Sequence, residues 1–414
     1  MKTTQTLGKL IALSLIASAT LHATNGDNLI AVGAKARGMG GTGIAISHGA
    51  ESGLSNGAMI TSVEGTEITF GGTIFMPDIE TQIASPFGLP PQPSFTSGAD
   101  INMIPEVSIA HKINENWYIG VGMWGTAGMG VDYSNAAFNP MIGQMGNFQM
   151  VTNLQLMQFG VPIAYKTEGL SLAITPIMQY GNLDINYNPS PVTGNPTGAG
   201  LAQDFGFGYN LGIAYDFAAQ GMSGLTLGAT YKSSIEMTYD HQISGAMAGF
   251  GVPDFSDSLE QPSEYGVGFA YVTGQHTFAF DYKKIQWSDA KGYGDFGWED
   301  SDVYAFGYKY TQDNWALRAG YNYADSAVVE QDGNTNMGAL FNMMNLLGFP
   351  ATAQSHYTIG GSYAVTEAFS VDLAYVYAPT TTETYDISAL FGPGANISTD
   401  HREDSLSFQL AYKF

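Results

Sequence analysis

The chain has 414 residues, a formal net charge of −23, 12% charged and 13% aromatic residues, 52 glycines and no cysteine. Soluble domains carry roughly 25% charged residues, so this composition fits strands that meet lipid on one side better than an ordinary water-soluble surface. The missing cysteine excludes a disulfide scaffold and thiolate metal sites, and the acidity argues against nucleic acid as a partner.

The first 23 residues read as a secretory signal. Lys2 and Lys9 give a basic start, and Leu10 to Ala19 form an apolar core. That core is too short to cross a membrane as a helix. Ala23 is the expected last residue of the signal. No other run approaches the ~18 apolar residues that a transmembrane helix needs, which leaves a soluble exported protein or a membrane β-barrel.

Residues 24–63 are rich in Gly, Ala and Ser and lack the long alternating runs of the rest of the chain. They are expected to form a compact plug, or hatch, inside a barrel built by residues 64–414. Gly38, Gly40 and Gly43 spell GxGxxG, but a dinucleotide site needs a preceding strand and a following helix in a βαβ unit. Glycine for tight turns is the better reading.

From Thr66 onward, apolar and polar residues alternate with a period of two. Fourteen strands are expected, near Thr66–Met76, Ile101–Ile113, Trp117–Tyr133, Phe148–Lys166, Leu170–Tyr187, Phe205–Phe217, Leu225–Tyr239, Ser263–Val272, His276–Trp287, Asp302–Tyr310, Trp315–Asp325, His356–Val365, Phe369–Ala378 and Glu403–Phe414. Short connections such as 114–116 and 273–275 alternate with long ones near 77–100, 134–147, 188–204, 240–262, 288–301, 326–355 and 379–402. An even strand number, with short turns on one side and long loops on the other, is the pattern of a transmembrane antiparallel β-barrel. The fold class is therefore all-β.

The faces can be assigned in places. Trp315, Leu317, Ala319, Tyr321 and Tyr323 share one face, opposite Arg318 and Asn322. Lys232 and Lys309 likewise sit opposite apolar rows. A charge facing lipid costs roughly 2–4 kcal/mol at the midplane, so these three cations are expected in the lumen, with Asp281 as a partner for Lys309. The last strand runs Leu406, Phe408, Leu410, Tyr412, Phe414, apolar at every second position to the end.

Several long loops are unusually apolar. Phe138, Met141, Met145 and Phe148 lie before or at the fourth strand, and Met247, Phe250 and Phe255 in the 240–262 loop. Leu340, Phe341 and Met344, with Met337, have helical spacing in the 326–355 loop. These residues form either a greasy capture site or a lid that packs on itself; the two are compatible. The third strand carries Gly122, Gly125, Gly128 and Gly130. Glycine weakens a ladder and marks a bend or bulge, so a kink is expected there.

The segments AKARGMGGTGIA and GLSNGA near the N-terminus, WALRAGYNYADS (315–326), HYTIGGSYAVTEAFSVDLAYVYA (356–378) and the ending on Phe414 together resemble the FadL-type outer-membrane transporters of long-chain fatty acids and other hydrophobic compounds. The resemblance covers essentially the whole mature chain. It implies a channel without cofactor or enzymatic activity in a Gram-negative outer membrane. Loops would capture the ligand, a hatch containing Gly38, Gly40, Gly41 and the Asn56-Gly57-Ala58 turn would gate it, and exit would be sideways beside the kinked third strand. The family's hatch usually carries Asn-Pro-Ala, so Gly57 departs from it, leaving a freer turn or one with φ values only glycine reaches. A fatty-acid carboxylate would need a cation, with Arg318 and Lys232 as candidates. Implied partners are a hydrophobic ligand, outer-membrane lipid and lipopolysaccharide, and the barrel assembly machinery through the strand ending at Phe414; a monomer is expected. The alternatives are a channel for aromatic or aliphatic hydrocarbons, and a structural or adhesive barrel whose plug never opens.

Overall fold

The computed structural model describes residues 25–84, 93–136, 149–188 and 197–414. The signal segment and the loop residues Phe138, Met141, Met145 and Phe148 lie outside these. The sixteen strand segments of the main sheet reduce to fourteen staves, because one stave is interrupted and Phe95–Thr96 is a two-residue addition. In chain order the staves are β1 Thr66–Ala84, β2 Asn102–Lys112, β3 Trp117–Asp132, β4 Val151–Gly160 with Ile163–Thr167, β5 Leu170–Asn186, β6 Ala202–Asp216, β7 Leu225–Lys232, β8 Glu264–Thr273, β9 His276–Ile285, β10 Ser301–Gln312, β11 Trp315–Ala324, β12 Ser355–Ala364, β13 Phe369–Asp386 and β14 Asn396–Lys413. Each pairs antiparallel with the next. β14 returns to β1 in unbroken register from Glu67↔Lys413 to Ala84↔Asn396, closing the ring. Closure removes the sheet edges that a bilayer would not tolerate.

The period-two pattern sorts as expected. Phe70, Ile109, Leu172, Phe207, Leu317 and Phe408 are exposed on the outer face, while Arg318, Asn322 and Asp281 are buried inside. Phe414 is exposed at the end of the closing strand, and its backbone exchanges two hydrogen bonds with Thr66.

Three strands run beyond the expected lengths. β1 continues to Ala84, and β13 and β14 form a long hairpin through the region read as a 379–402 loop. Its outer positions, such as Thr382, Thr384 and Asp400, are polar, which masked the strand, but Tyr385 and Ile397 still alternate into the core. β7 is shorter than expected. It stops at Lys232, and Ile235–Thr238 leaves the ring to pair with Ser258–Gln261. The reason is packing: Ile235, Met237 and Tyr239 turn inward into an apolar core above the lumen.

Residues 25–63 form short pieces: α1 Ala34–Arg37, α2 Ser52–Ser55 and a 3₁₀ helix Gly57–Ser62. Their partners lie all round the ring. Gly33 N donates to Glu106 on β2 (2.6 Å), Ala34 N to Gln409 on β14 (2.9 Å), Gly40 N to Thr358 on β12 (3.0 Å) and Gly43 N to Asp281 on β9 (2.7 Å). Asn56 Nδ2 reaches the Ile213 carbonyl on β6 (3.2 Å). A segment that touches strands on opposite sides of a closed ring lies inside it. Wall side chains thus satisfy backbone N–H groups that a buried irregular segment would otherwise leave unpaired.

Candidate functional site

The wall loses its pairing partway along β2 and β3. β2 and β3 pair only from Lys112↔Tyr118 to Glu106↔Trp124. Beyond Trp124 they part. β2 stays with β1, as in Thr73↔Ile104, and β3 stays with β4, with a register shift between Gly125 and Ala127 that sets Thr126 out of the ladder. The glycine-rich stretch is therefore bulged at Gly125–Ala127, the physical use of glycine anticipated from the sequence. A Cβ on Gly125 would lie 2.5 Å from Ile104, and one on Gly122 would collide with the Trp124 ring.

Residues Asp27–Leu29 occupy the place that β2 vacates. Leu29 N donates to the Thr126 carbonyl (3.0 Å), Gly128 N donates to the Asp27 carbonyl (2.9 Å), and Asn28 bridges to Ala127. The Leu29 side chain packs on Phe75 and Ile104 in a small cluster of its own. Above this stopper the wall closes again, where Gly98 N donates to the Asp132 carbonyl (2.8 Å). A Cβ on Gly130 would fall 2.0 Å from the Thr152 carbonyl oxygen, so the bulged strand lies tight on β4.

The stopper is tied down by hydrogen bonds to Asp27. Asp27 is fully buried; its carboxylate accepts from the Tyr293 hydroxyl and from Gln261 Nε2 (3.1 Å). Burial pushes its pKa up to about 6, against the opposing pull of the Tyr293 and Gln261 hydrogen bonds. Trp287 lies over Gly26, in an aromatic group with Tyr293 and Trp298. None of Asp27, Gln261, Leu29 or Ile104 was singled out from the sequence. Asp27 carries one local signal: it is the sole acidic residue between Thr24 and Ala50. The others meet only through long-range pairing.

Deeper in the segment, charge accumulates. Glu51 accepts from Ala36 N (3.2 Å) and Gln409 Nε2, and burial pushes it up to about 8 despite the attraction of Lys35. Arg37 is fully buried, donates to Ser405 Oγ (2.6 Å), and is lowered to about 10 by burial. Burial lowers His48 to about 3, so its neutral ring donates from Nε2 to the Thr42 carbonyl (2.7 Å).

The Asn56-Gly57-Ala58 turn is well held. Asn56 Oδ1 accepts from Ala58 N (3.0 Å) and Nδ2 donates to the Ile44 carbonyl (2.7 Å). Gly57 does not use a positive φ. Its lack of a side chain matters for approach instead: a Cβ would lie 2.8 Å from Thr175 Oγ1 on the wall. After α1, Gly38 continues the helical turn, whereas Gly40 (φ 68°) and Gly41 (φ 85°) are left-handed. A Cβ on Gly40 would press on the Phe306 and Tyr321 backbones, so this turn lies flush against β10 and β11.

Two of the three lumenal cations, Lys232 and Arg318, have partners. Lys232 Nζ pairs with Glu264 (3.1 Å). Arg318 Nη1 donates to Ser362 Oγ (2.5 Å), which in turn donates to Asp372. The expected Asp281–Lys309 pair does not form. Lys309 lies opposite Thr277 and Asp281 opposite Ala305, four residues away along β9, and Asp281 Oδ2 instead accepts from Gly43 and Ile44 N.

The apolar loops fold back into the mouth. Met247, Leu340 and Met344 are almost fully buried, in one core with Leu154, Leu346 and Leu347. The expected helix is present as Asn336–Met343, continued by a π turn to Gly348. Phe250, Phe255 and Phe341 are half-buried on the outer side of that core, and Phe255, Phe296 and Phe341 form an aromatic group with centroids 5.0–6.2 Å apart. The loops thus make a lid, with this aromatic group at its surface.

Residues 12–414 match the family model described as outer membrane protein transport protein (OMPP1/FadL/TodX). The long-chain fatty acid transport protein of Escherichia coli K12 is 24% identical over 295 residues, 66% of this chain and 58% of its own length. The 47 kDa outer membrane protein of Pasteurella multocida is 21% identical over 381 residues, 80% of this chain and 82% of its own. The chain spans 57–58% of the length of the E. coli relatives. The toluene transporter TodX of Pseudomonas putida has a TM-score of 0.67 at 17% identity, with 93% of this chain and 99% of that one covered. A FadL homologue of Pseudomonas aeruginosa gives 0.65 at 14%, covering 96% and 100%. These structures share the fold. The chain is an outer-membrane β-barrel and belongs to the OMPP1/FadL/TodX family.

Proposed function

We propose that this chain is a passive channel through which hydrophobic molecules, long-chain fatty acids or hydrocarbons, enter the outer membrane. In this reading residues 1–23 are removed on export, residues 24–63 act as a hatch, and residues 64–414 form the barrel. The aromatic group Phe255, Phe296 and Phe341 receives ligand at the lid. Displacement of Asp27–Leu29 then opens the β2–β3 gap to the bilayer. The barrel acts as a monomer in lipid and lipopolysaccharide, and the exposed Phe414 end serves the assembly machinery.

The observation that carries this reading is the gap itself. Past Trp124 two neighbouring staves lose their pairing, and the irregular peptide Asp27–Leu29 rather than a strand fills the place. A purely structural barrel gains nothing from such a gap. Lumenal polarity supports sideways release, since a hydrocarbon cannot descend past the buried polar groups of Arg37, Glu51 and Glu106 without stripping their hydrogen-bond partners.

The test is uptake of labelled toluene and of a long-chain fatty acid by cells with and without the chain. Gly125→Leu would fill the gap against Ile104. Loss of uptake in that variant, with the barrel still folded, is the expected result; undiminished uptake would refute lateral release. If a fatty acid is the ligand and Arg318 its partner, Arg318→Ala lowers acid uptake alone.

A further inference from the structure

A cavity of about 80 Å³ lies between the N-terminal segment and the wall, immediately behind the β3 bulge. Its volume is several times the ~10–15 Å³ that a single water requires. One side is apolar: Leu29, Ile30, Val32 and Leu54 of the segment, with Ile235. Thr126, the residue set out of the β3 ladder, also lines it, so the cavity adjoins the stopper.

The other side is polar, and incompletely satisfied. Gln261 is 8% exposed and Asp281 1% exposed, and both line the cavity. Gln261 uses Nε2 on Asp27 and Asn28 but has no hydrogen-bond partner for Oε1. Asp281 uses Oδ2 on Gly43 and Ile44 but has none for Oδ1. Asn210 Nδ2 and Thr126 Oγ1 are likewise unpartnered among the described residues. A cavity ringed by unmade donors and acceptors fits an occupant that both donates and accepts.

The charges are already matched. Asn210, Lys232 and Glu264 stand in register on three adjacent strands, and the Lys232–Glu264 ion pair closes at 3.1 Å. Lys283 stands in the field of both Glu264 and Asp281. Two ammonium groups, Lys232 and Lys283, thus face three carboxyls of the lining, Glu51, Glu264 and Asp281. No surplus cation remains for an incoming carboxylate.

We propose, on the basis of the channel reading above, that this cavity is a head-group subsite for an uncharged hydroxyl. The ligands it selects are hydrophobic alcohols and phenols, with the apolar body against Leu29 and Ile30 and the hydroxyl shared between Gln261 Oε1 and Asn210 Nδ2. Among the hydrophobic molecules that enter the channel, it retains these longer than hydrocarbons, which leave those atoms unpaired, or carboxylates, which meet a balanced or negative lining.

The test is calorimetric titration of the full purified chain at pH 8 with 4-propylphenol, propylbenzene and 4-propylbenzoate. The expected result is that the phenol binds at least about tenfold more tightly than either of the others, since a buried site built for a hydroxyl rejects analogues lacking it. In Asn210→Leu the ratio of phenol to propylbenzene affinity falls toward one. Equal binding of phenol and propylbenzene, as when only water occupies the cavity, overturns the subsite. Tightest binding of the benzoate overturns it too. In both cases the channel reading stands, whereas saturable binding of none of the three removes that reading as well. The ranking in the unmodified protein decides the matter even if the variant does not fold.

Discussion

The two halves of the lumen are chemically opposite. Above the N-terminal segment, Leu154, Met247, Leu340, Met343, Leu346 and Leu347 build a dense apolar core under the loops. At the level of the segment, Arg37, Glu51, Glu106, Asp372 and Glu403 are buried in the interior, with Lys35 beside Asp372. An apolar molecule is stabilised by about 25 cal/mol per Å² buried in the upper half, and meets desolvated charge in the lower. The parting of β2 and β3, with the bulge at Gly125–Ala127, lies where the halves meet. On the proposed lateral route, apolar cargo would leave at this level without passing the charged segment.

The contrast can be broken most severely from above. Leu346 is fully buried in the lid core, so Leu346→Asp places a carboxylate with no partner in hydrocarbon, at a cost of ~4 kcal/mol. The lid should open, seen as rapid loop proteolysis with the barrel intact, and ligand binding should be lost. From below, Asp281→Ala removes the acceptor of Gly43 N and Ile44 N. Each buried N–H left unpaired costs about 1–3 kcal/mol, so the segment should loosen. Ion leak in planar bilayers and faster hydrogen exchange at 40–44 would report it, and Asp281→Asn should restore part of the loss.

Acidity sharpens the same comparison. Burial raises Asp27 from 3.8 to about 6 and Glu51 from 4.5 to about 8 in the docked state. Both groups therefore favour docking fully while protonated. Docking should be tightest below about pH 4, weaken as Asp27 ionises toward pH 6, and weaken again as Glu51 ionises toward pH 8. Hydrogen exchange of residues 26–33 across this range checks the sign, and Asp27→Asn should flatten the lower part alone. The smallest effect is expected at Asn56→Ala, which loses the cap on Ala58 and the bonds to Ile44 and Ile213. A lost cap is worth about 1 kcal/mol, visible as modestly faster exchange at 57–62.

Much of the barrel was legible because its chemistry is local. Alternation along single strands placed Arg318, Lys232 and Lys309 inside and Leu317 and Ala319 outside, as the structure has them. Glycine spacing marked β3 as irregular before its register was known. Legibility failed where polarity stopped tracking depth, as in the β13–β14 hairpin, whose outward positions are Thr and Asp rather than apolar. It failed for contacts set by register, since Asp281 and Lys309 lie on adjacent strands yet four positions apart. The stopper was invisible because Leu29, Phe75 and Ile104 meet only once the ring has closed.

The most direct measurement uses the absence of native cysteine. Asn28 and Ala127 face each other as an antiparallel bridge, a spacing of roughly 4.5–5.5 Å between Cα atoms that a disulfide spans. Asn28→Cys with Ala127→Cys should form one on oxidation and lock the stopper into the wall. Release through the gap predicts that uptake of the hydrophobic ligand falls at least about tenfold in the oxidised protein, the ~1.4 kcal/mol per decade of a blocked step, and returns on reduction. Full uptake with the disulfide formed would show that ligand leaves by another route and would contradict lateral release.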